Sequence, residues 1–258
     1  MKYLIYFILY IFLFINSGCV EEQKEEINDK EINEEEIPDS ALTEDNNIQT
    51  VTTKSPGFIE KKLIVAGLVN VREIDSTILV DLKYSSEENF LGIDLYGELD
   101  HCYLQKKPAE MLAKAQKLLK AQFPDYSLLV YDGARPLYIQ QKLWDTLDLP
   151  QIEKKKYVAD PKIGSIHNYG SAVDLTIAHV DGTPLDMGTS YDYFGDLAYP
   201  SKEAEMLKKG LLNEQQIKNR ELLRSVMLKA GFTPIKYEWW HFNAVSRERA
   251  KEIYKIID

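Results

Sequence analysis

From Thr77 to Tyr84 the chain alternates apolar Ile78, Val80 and Leu82 with polar partners, the two-residue period of a strand that buries one face. Pro108 opens a different recurrence through Met111, Leu112, Ala115, Leu118 and Leu119, which predicts an amphipathic helix with proline tolerated in its first turn. Ser127 to Tyr131 reads as a short buried strand ended by Asp132-Gly133, and Pro136 starts an aromatic-rich helix through Trp144. Ser171 to Ile177 alternates again, with Ala172, Asp174 and Thr176 on one face, Val173, Leu175 and Ile177 on the other, and Asp181-Gly182 as the turn beyond. The polar face of that strand is where chemistry is expected. A helical pattern runs from Glu214 to Ala230 and stops at Gly231; Ile235 to Phe242 is expected as the last strand, and a short helix starts at Arg247. No internal repeat is visible. The order predicts an α+β domain with a small, mainly antiparallel sheet and flanking helices.

The start of the chain breaks with this alternation. Lys2 is followed by an uninterrupted apolar run from Tyr3 to Ile15, and Ser17-Gly18 precedes Cys19. A positive start and an apolar run too short to span a bilayer comfortably mark a secretory signal. A cysteine after a small pair resembles the lipobox of bacterial lipoproteins, where lipid is attached to the thiol and cleavage leaves the cysteine first. Asn16 stands where that motif has an aliphatic residue. The resemblance implies an exported protein held at a membrane through lipid on Cys19, facing the periplasm or the cell surface. Of the two cysteines only Cys102 then remains, so the folded part contains no intramolecular disulfide and its stability must come from its core.

Charge divides the chain at the same place. Val20 to Asn47 carries twelve Asp or Glu against two Lys, whereas residues 48 to 258 balance 28 basic against 29 acidic side chains, so the net charge of −10 resides in the early stretch. Such a segment buries too little apolar surface to fold and repels itself into a solvated spacer. Residues 1–18 are therefore read as a signal peptide, 19–60 as an acidic disordered tether and 61–258 as one folded domain. The near-neutral domain offers no reason to expect nucleic acid, and no protein partner is inferred.

Two of the four histidines stand in distinctive surroundings: His167 in Ser165-Ile-His167-Asn-Tyr-Gly170-Ser-Ala172-Val-Asp174, and His241 at the end of Glu238-Trp-Trp-His241. A catalytic zinc site takes neutral imidazole and carboxylate donors from separate segments and keeps a position open. His167, Asp174 and His241 supply three such donors, although any one of them alone would read as an ordinary core or surface residue. Glu238 fits the general base, since a zinc hydrolase needs a carboxylate beside the attacking water to move its proton to the leaving amine. Residues three apart point oppositely on a regular strand, so a bend or bulge is expected between Glu238 and His241.

Together these residues resemble the D-Ala-D-Ala dipeptidases of the VanX type, within the larger group of zinc D,D-peptidases. Val80-Asp81-Leu82-Lys83-Tyr84 with Asn89-Phe90, Tyr131-Asp132-Gly133-Ala-Arg135-Pro136 and Asp186-Met187-Gly188-Thr189-x-Tyr191-Asp192 extend the resemblance from about residue 70 to the C-terminus. It implies the zinc D,D-peptidase (hedgehog-like) fold and one zinc ion per chain on His167, Asp174 and His241. Glu238 would be the base, and Arg135 would stabilise charge developing on the scissile carbonyl oxygen. A free dipeptide carries an ammonium and a carboxylate, so both ends need partners. Asp186 is the expected partner of the ammonium, with Ser165 and Tyr84 as walls or carboxylate contacts. The same ligands would serve a D,D- or L,D-carboxypeptidase acting on peptidoglycan stem peptides. A non-catalytic cell-wall-binding lipoprotein would have no use for ligands, base and Arg135 together. An exported dipeptidase cannot reach cytoplasmic precursor pools, which points to a role in cell-wall turnover or salvage.

Overall fold

The computed structural model describes residues 55–155 and 157–258. The signal peptide, Cys19 and most of the proposed tether lie outside the described residues. Seven strands are present among the described residues: β1 (Val69–Asn70), β2 (Leu79–Val80), β3 (Tyr103–Leu104), β4 (Tyr126–Asp132), β5 (Ala172–His179), β6 (Thr233–Pro234) and β7 (His241–Asn243). The helices are α1 (Phe58–Val65), α2 (Val71–Ile74), α3 (Lys106–Lys120), α4 (Leu137–Thr146), α5 (Gln151–Lys154), α6 (Glu203–Lys208), α7 (Glu214–Ala230) and α8 (Arg247–Ile253).

One five-stranded sheet has the order β2-β4-β5-β7-β6, and β1 with β3 forms a separate two-stranded ribbon. Only the β2–β4 pair is parallel; every other pairing is antiparallel, as the sequence pattern predicts. Helices α3 and α7 pack on each other and reach β4 and β5, burying Leu112, Ala115 and Leu119 from one and Leu223, Val226 and Met227 from the other. Gln116 is fully buried on α3, and its amide explains why: it accepts from Leu128 N at 2.8 Å and donates to the Thr77 carbonyl at 3.0 Å. Helix α7 is set at both ends by its own residues. Asn213 and Gln216 form a capping box, and Gly231 at φ 109 ends the helix in the left-handed region.

Two strand expectations are corrected. The alternating run at 77–84 contributes only Leu79–Val80 to the sheet, because Lys83–Ser85 turns into a 3-10 helix. Ile235–Phe242 is not one strand. Thr233 pairs with Asn243 and Pro234 with Phe242, so residues 235–240 are the connection of a β6–β7 hairpin. Glu238 therefore sits on a loop and His241 on a strand, and the break expected between them is a bend at Trp239 and Trp240 rather than a bulge. The bulge lies instead in β4, where the register shifts between Val130 and Asp132 opposite β5. At the other end, α1 opens at Phe58 with Ile59 and Leu63 in the core, inside the stretch assigned to the tether. Cys102 is a buried free thiol, and burial pushes its pKa far above the ordinary range.

Candidate metal centre and active-site cleft

The donor triad is assembled by sheet register and one capped turn. Asp174 on β5 is directly opposite His241 on β7, so both side chains leave the same face of the sheet. His167 comes from a 3-10 turn, Ile166–Tyr169, with a capping box between Ser165 and Asn168 and a left-handed Gly170 at φ 62. Gly170 also packs closely, since a Cβ there would come within 2.8 Å of Leu68. The turn thus delivers His167 from beside the sheet to the point where Asp174 and His241 meet.

His167 Nε2 lies 3.4 Å from Asp174 Oδ1 and 3.2 Å from His241 Nδ1, and His241 Nδ1 lies 2.9 Å from Asp174 Oδ1. Tetrahedral zinc with bonds near 2.0–2.1 Å requires donors about 3.3 Å apart, and these separations match that requirement. The outer nitrogens are also committed. His167 Nδ1 lies 2.7 Å from the Gly133 carbonyl and His241 Nε2 lies 2.9 Å from Asn243 Oδ1. Both oxygens can only accept, so in the neutral imidazoles that a metal requires each outer nitrogen would carry the proton and each inner nitrogen would present a lone pair. The site also draws positive charge. Burial disfavours a charged His241, yet the hydrogen bond and charge of Asp174 push its pKa up to about 9. Burial works against an ionised Asp174 as well, and the two histidines still hold its carboxyl far below the ordinary range.

Glu238 reaches this centre from the hairpin loop. Its Oε2 is 3.7 Å from His241 Nδ1, and a third of its side chain stays open to the cleft. Burial, supported by the charge of Asp174 and opposed by His241, raises its pKa above the ordinary carboxylate value. Arg135 follows the β4 bulge, with its amide donating to the His167 carbonyl at 3.0 Å. Its guanidinium meets the Asp132 carboxylate through Nε and Nη2, donates to Gln140 Oε1 at 3.0 Å and lies 5.0 Å over the Tyr84 ring. Asp132 accepts in turn from Tyr96 Oη at 2.7 Å, so the carboxylate that orients Arg135 is itself fixed.

The cleft holds about 210 Å³ and is walled by His167, Asp174, His241, Glu238, Arg135, Ser165 and Tyr84, so seven of the eight site residues expected in the folded domain converge. That volume is below the roughly 300 Å³ at which drug-sized ligand pockets begin, which restricts the cleft to a small substrate segment.

Asp186 does not join them. It lines a different depression with Thr176, Tyr191 and Trp239, and its bonds organise a loop. Its carboxylate accepts from Gly188 N and from Gln216 Nε2, both at 2.8 Å, and its carbonyl accepts from Asn219 at 2.8 Å. The further carboxylate in the cleft, beside Asp174 and Glu238, is Asp192, whose role was missed in the sequence. Asp192 has a left-handed backbone at φ 55 and accepts from Tyr84 Oη at 3.0 Å. Burial and the charge of Asp174 push its pKa well above the ordinary value. A left-handed non-glycine residue costs free energy and persists where its surroundings hold it in place. The available signal was Tyr191-Asp192 at the end of a quoted motif; Tyr191 Oη donates to Asp174 Oδ2 at 3.0 Å, which ties that motif to the centre.

The family model described as D-ala-D-ala dipeptidase, peptidase M15, matches residues 65–257. The D-alanyl-D-alanine dipeptidase of Escherichia coli is 33% identical over 175 residues, covering 68% of this chain and 83% of that one. The D-alanyl-D-alanine dipeptidase of Enterococcus faecalis is 29% identical over 183 residues, covering 64% of this chain and 85% of that one. Among solved structures, VanYB in complex with D-Alanine-D-Alanine is similar at 18% identity and a TM-score of 0.35, covering 69% of this chain and 91% of that one. With the family model spanning nearly the whole folded domain, whose donor triad has a geometry suited to zinc, the chain belongs to the peptidase M15 family of D-Ala-D-Ala dipeptidases.

Proposed function

We propose that the protein is a zinc dipeptidase that hydrolyses D-Ala-D-Ala to two D-alanines. The observation that carries the reading is the convergence of three zinc-spaced donors, a raised carboxyl at Glu238 and a second carboxylate, Asp192, in one small cleft. His167, Asp174 and His241 would hold the metal. Bound there, zinc supplies Lewis acidity, polarising a carbonyl oxygen and making a water acidic enough to attack at neutral pH.

The chain's own residues do the rest. Glu238 takes the proton of the attacking water and returns it to the leaving amine, a task suited to a carboxyl whose pKa burial raises above the ordinary value. Arg135, permanently charged and pinned by Asp132 and Gln140, meets the negative charge that grows on the carbonyl oxygen as the carbon becomes tetrahedral. Asp192 takes the substrate ammonium, and Tyr84 holds its carboxylate in place. That cation relieves the burial that raises the Asp192 pKa. A carboxylate committed to a free amino terminus favours a dipeptide over the C-terminal bond of a longer stem peptide, whose corresponding nitrogen is an uncharged amide.

We further propose that the protein is exported and lipid-anchored through Cys19, and that it acts in cell-wall turnover or salvage. The signal-like start and the Ser17-Gly18-Cys19 sequence support this placement. The deciding experiment for the activity is a hydrolysis panel with the zinc-loaded protein. D-Ala-D-Ala is expected to be cleaved in preference to tri-, tetra- and pentapeptide stems, and preferential release of D-alanine from the stems would establish a carboxypeptidase instead.

A further inference from the structure

The cleft contains two guanidinium groups, and their charges are met differently. Arg135 is compensated by Asp132. Arg247, the first residue of α8, is half-buried in the cleft wall and donates from Nη1 to the Gly164 carbonyl. Among the described residues no carboxylate stands within ion-pair distance of the Arg247 guanidinium, and its sequence neighbour Glu248 is exposed. A partly desolvated guanidinium facing a neutral carbonyl is incompletely satisfied, and an anion with two oxygens completes it best.

The contacts also say which part of the cleft this charge serves. Gly164 precedes Ser165, and Ser165 caps the turn that carries His167, so Arg247 belongs to the Ser165 side of the donor triad. Asp174 accepts from Tyr191, the neighbour of Asp192, and Asp192 accepts from Tyr84, so the acidic partner is held by residues other than the Gly164–Ser165 turn that Arg247 touches. The cleft thus contains, beside the triad, a cation without an ion-pair partner among the described residues and a further carboxylate at Asp192. A zwitterionic dipeptide bound at the triad would match these two charges, ammonium to Asp192 and carboxylate to Arg247.

We infer that Arg247 recognises the free α-carboxylate of the substrate and selects for peptides with an unblocked C-terminus. The inference rests on the dipeptidase reading, and its test is arranged to separate the two. Binding of D-Ala-D-Ala and of its C-terminal amide is measured by calorimetry on zinc-loaded Glu238→Ala protein, alone and combined with Arg247→Gln or Arg247→Lys. Turnover of both compounds is measured on the protein with Glu238 intact. The free acid is expected to bind at least tenfold more tightly than the amide. Arg247→Gln should remove most of that preference and leave the amide unchanged, and Arg247→Lys should keep part of it. An acid-to-amide ratio that survives Arg247→Gln overturns the inference. Equal weakening of both compounds also overturns it, because that is what loss of a prop under Gly164 would produce. If the dipeptide is not hydrolysed but Arg247-dependent preference for the acid persists, the dipeptidase reading fails and this assignment stands. Hydrolysis with no preference for the free acid has the opposite meaning.

Discussion

Glu238 and the three donors make separable demands on the chemistry, because a base touches the water while a ligand holds the metal. Glu238→Ala is therefore expected to retain zinc and lose nearly all turnover, whereas His167→Ala and His241→Ala lose metal as well; metal analysis beside a dipeptidase assay checks both. The raised pKa of Glu238 adds a pH dependence whose sign is fixed by its role. Below that pKa the carboxyl is protonated and cannot accept a proton, so kcat/KM rises as pH increases through it. The acid limb should lie above the ordinary glutamate value of about 4.3, and a limb at or below that value would contradict the assignment. The two aspartates divide in the same way. Asp192→Asn should raise KM for D-Ala-D-Ala by about tenfold to a hundredfold, the worth of a hydrogen bond to a charged group. Asp186→Asn should lower Tm and leave KM near the original value, because its bonds run to Gly188 and Gln216 outside the cleft. Steady-state kinetics and thermal melts on the pair settle which aspartate faces substrate.

Elements with an unbroken period were legible in the sequence, and short or interrupted ones were not. Helices α3 and α7 and strand β5 repeat their apolar spacing over enough residues to fix both type and buried face, and the polar face of β5 does present Asp174 to the centre. The β6–β7 hairpin hid because its strands have only two and three residues, and the apolar Ile235 and Trp239-Trp240 of its loop mimic a strand. Donors and base were readable as motifs, while Asp192 depends on a single left-handed residue that no periodicity announces. The β4 bulge was equally silent, yet it sets the site. It leads into Gly133, whose carbonyl orients His167 and whose missing side chain leaves room for Cys102. A Cβ at Gly133 would fall 2.5 Å from Cys102 Sγ and 3.0 Å from the Tyr103 carbonyl. Gly133→Ala should cost about 1–3 kcal/mol of stability through overpacking and weaken zinc binding by about tenfold to a hundredfold through the displaced carbonyl. Adding Cys102→Ala should restore part of the Tm, because it removes the nearer of the two collisions. Unchanged Tm and metal affinity in Gly133→Ala would show that neither contact is tight.

On the scale of the whole molecule, the folded domain can be considered apart from the acidic start that the sequence reads as a tether. The core runs from Ile59 to Ile257 and draws on the helices and the sheet, so the folded domain carries its own stability. No described helix is long and apolar enough to cross a membrane. The membrane attachment proposed for the first nineteen residues has two mechanisms, which differ in one atom. A retained apolar run would hold the protein through Tyr3 to Ile15 whatever stands at position 19, whereas a lipid anchor depends on the thiol of Cys19. Stable anchoring by lipid takes more than one acyl chain, so losing the attachment point should release the protein rather than weaken its hold by degrees. Cys19→Ser is expected to abolish labelling by a fatty-acid probe and move the protein from the membrane fraction to the soluble one, with kcat/KM for D-Ala-D-Ala unchanged because, among the described residues, the cleft is lined by none before Tyr84. If Cys19→Ser stays in the membrane fraction without label, the apolar run is the anchor; if it stays there with label intact, Cys19 is not the modified residue.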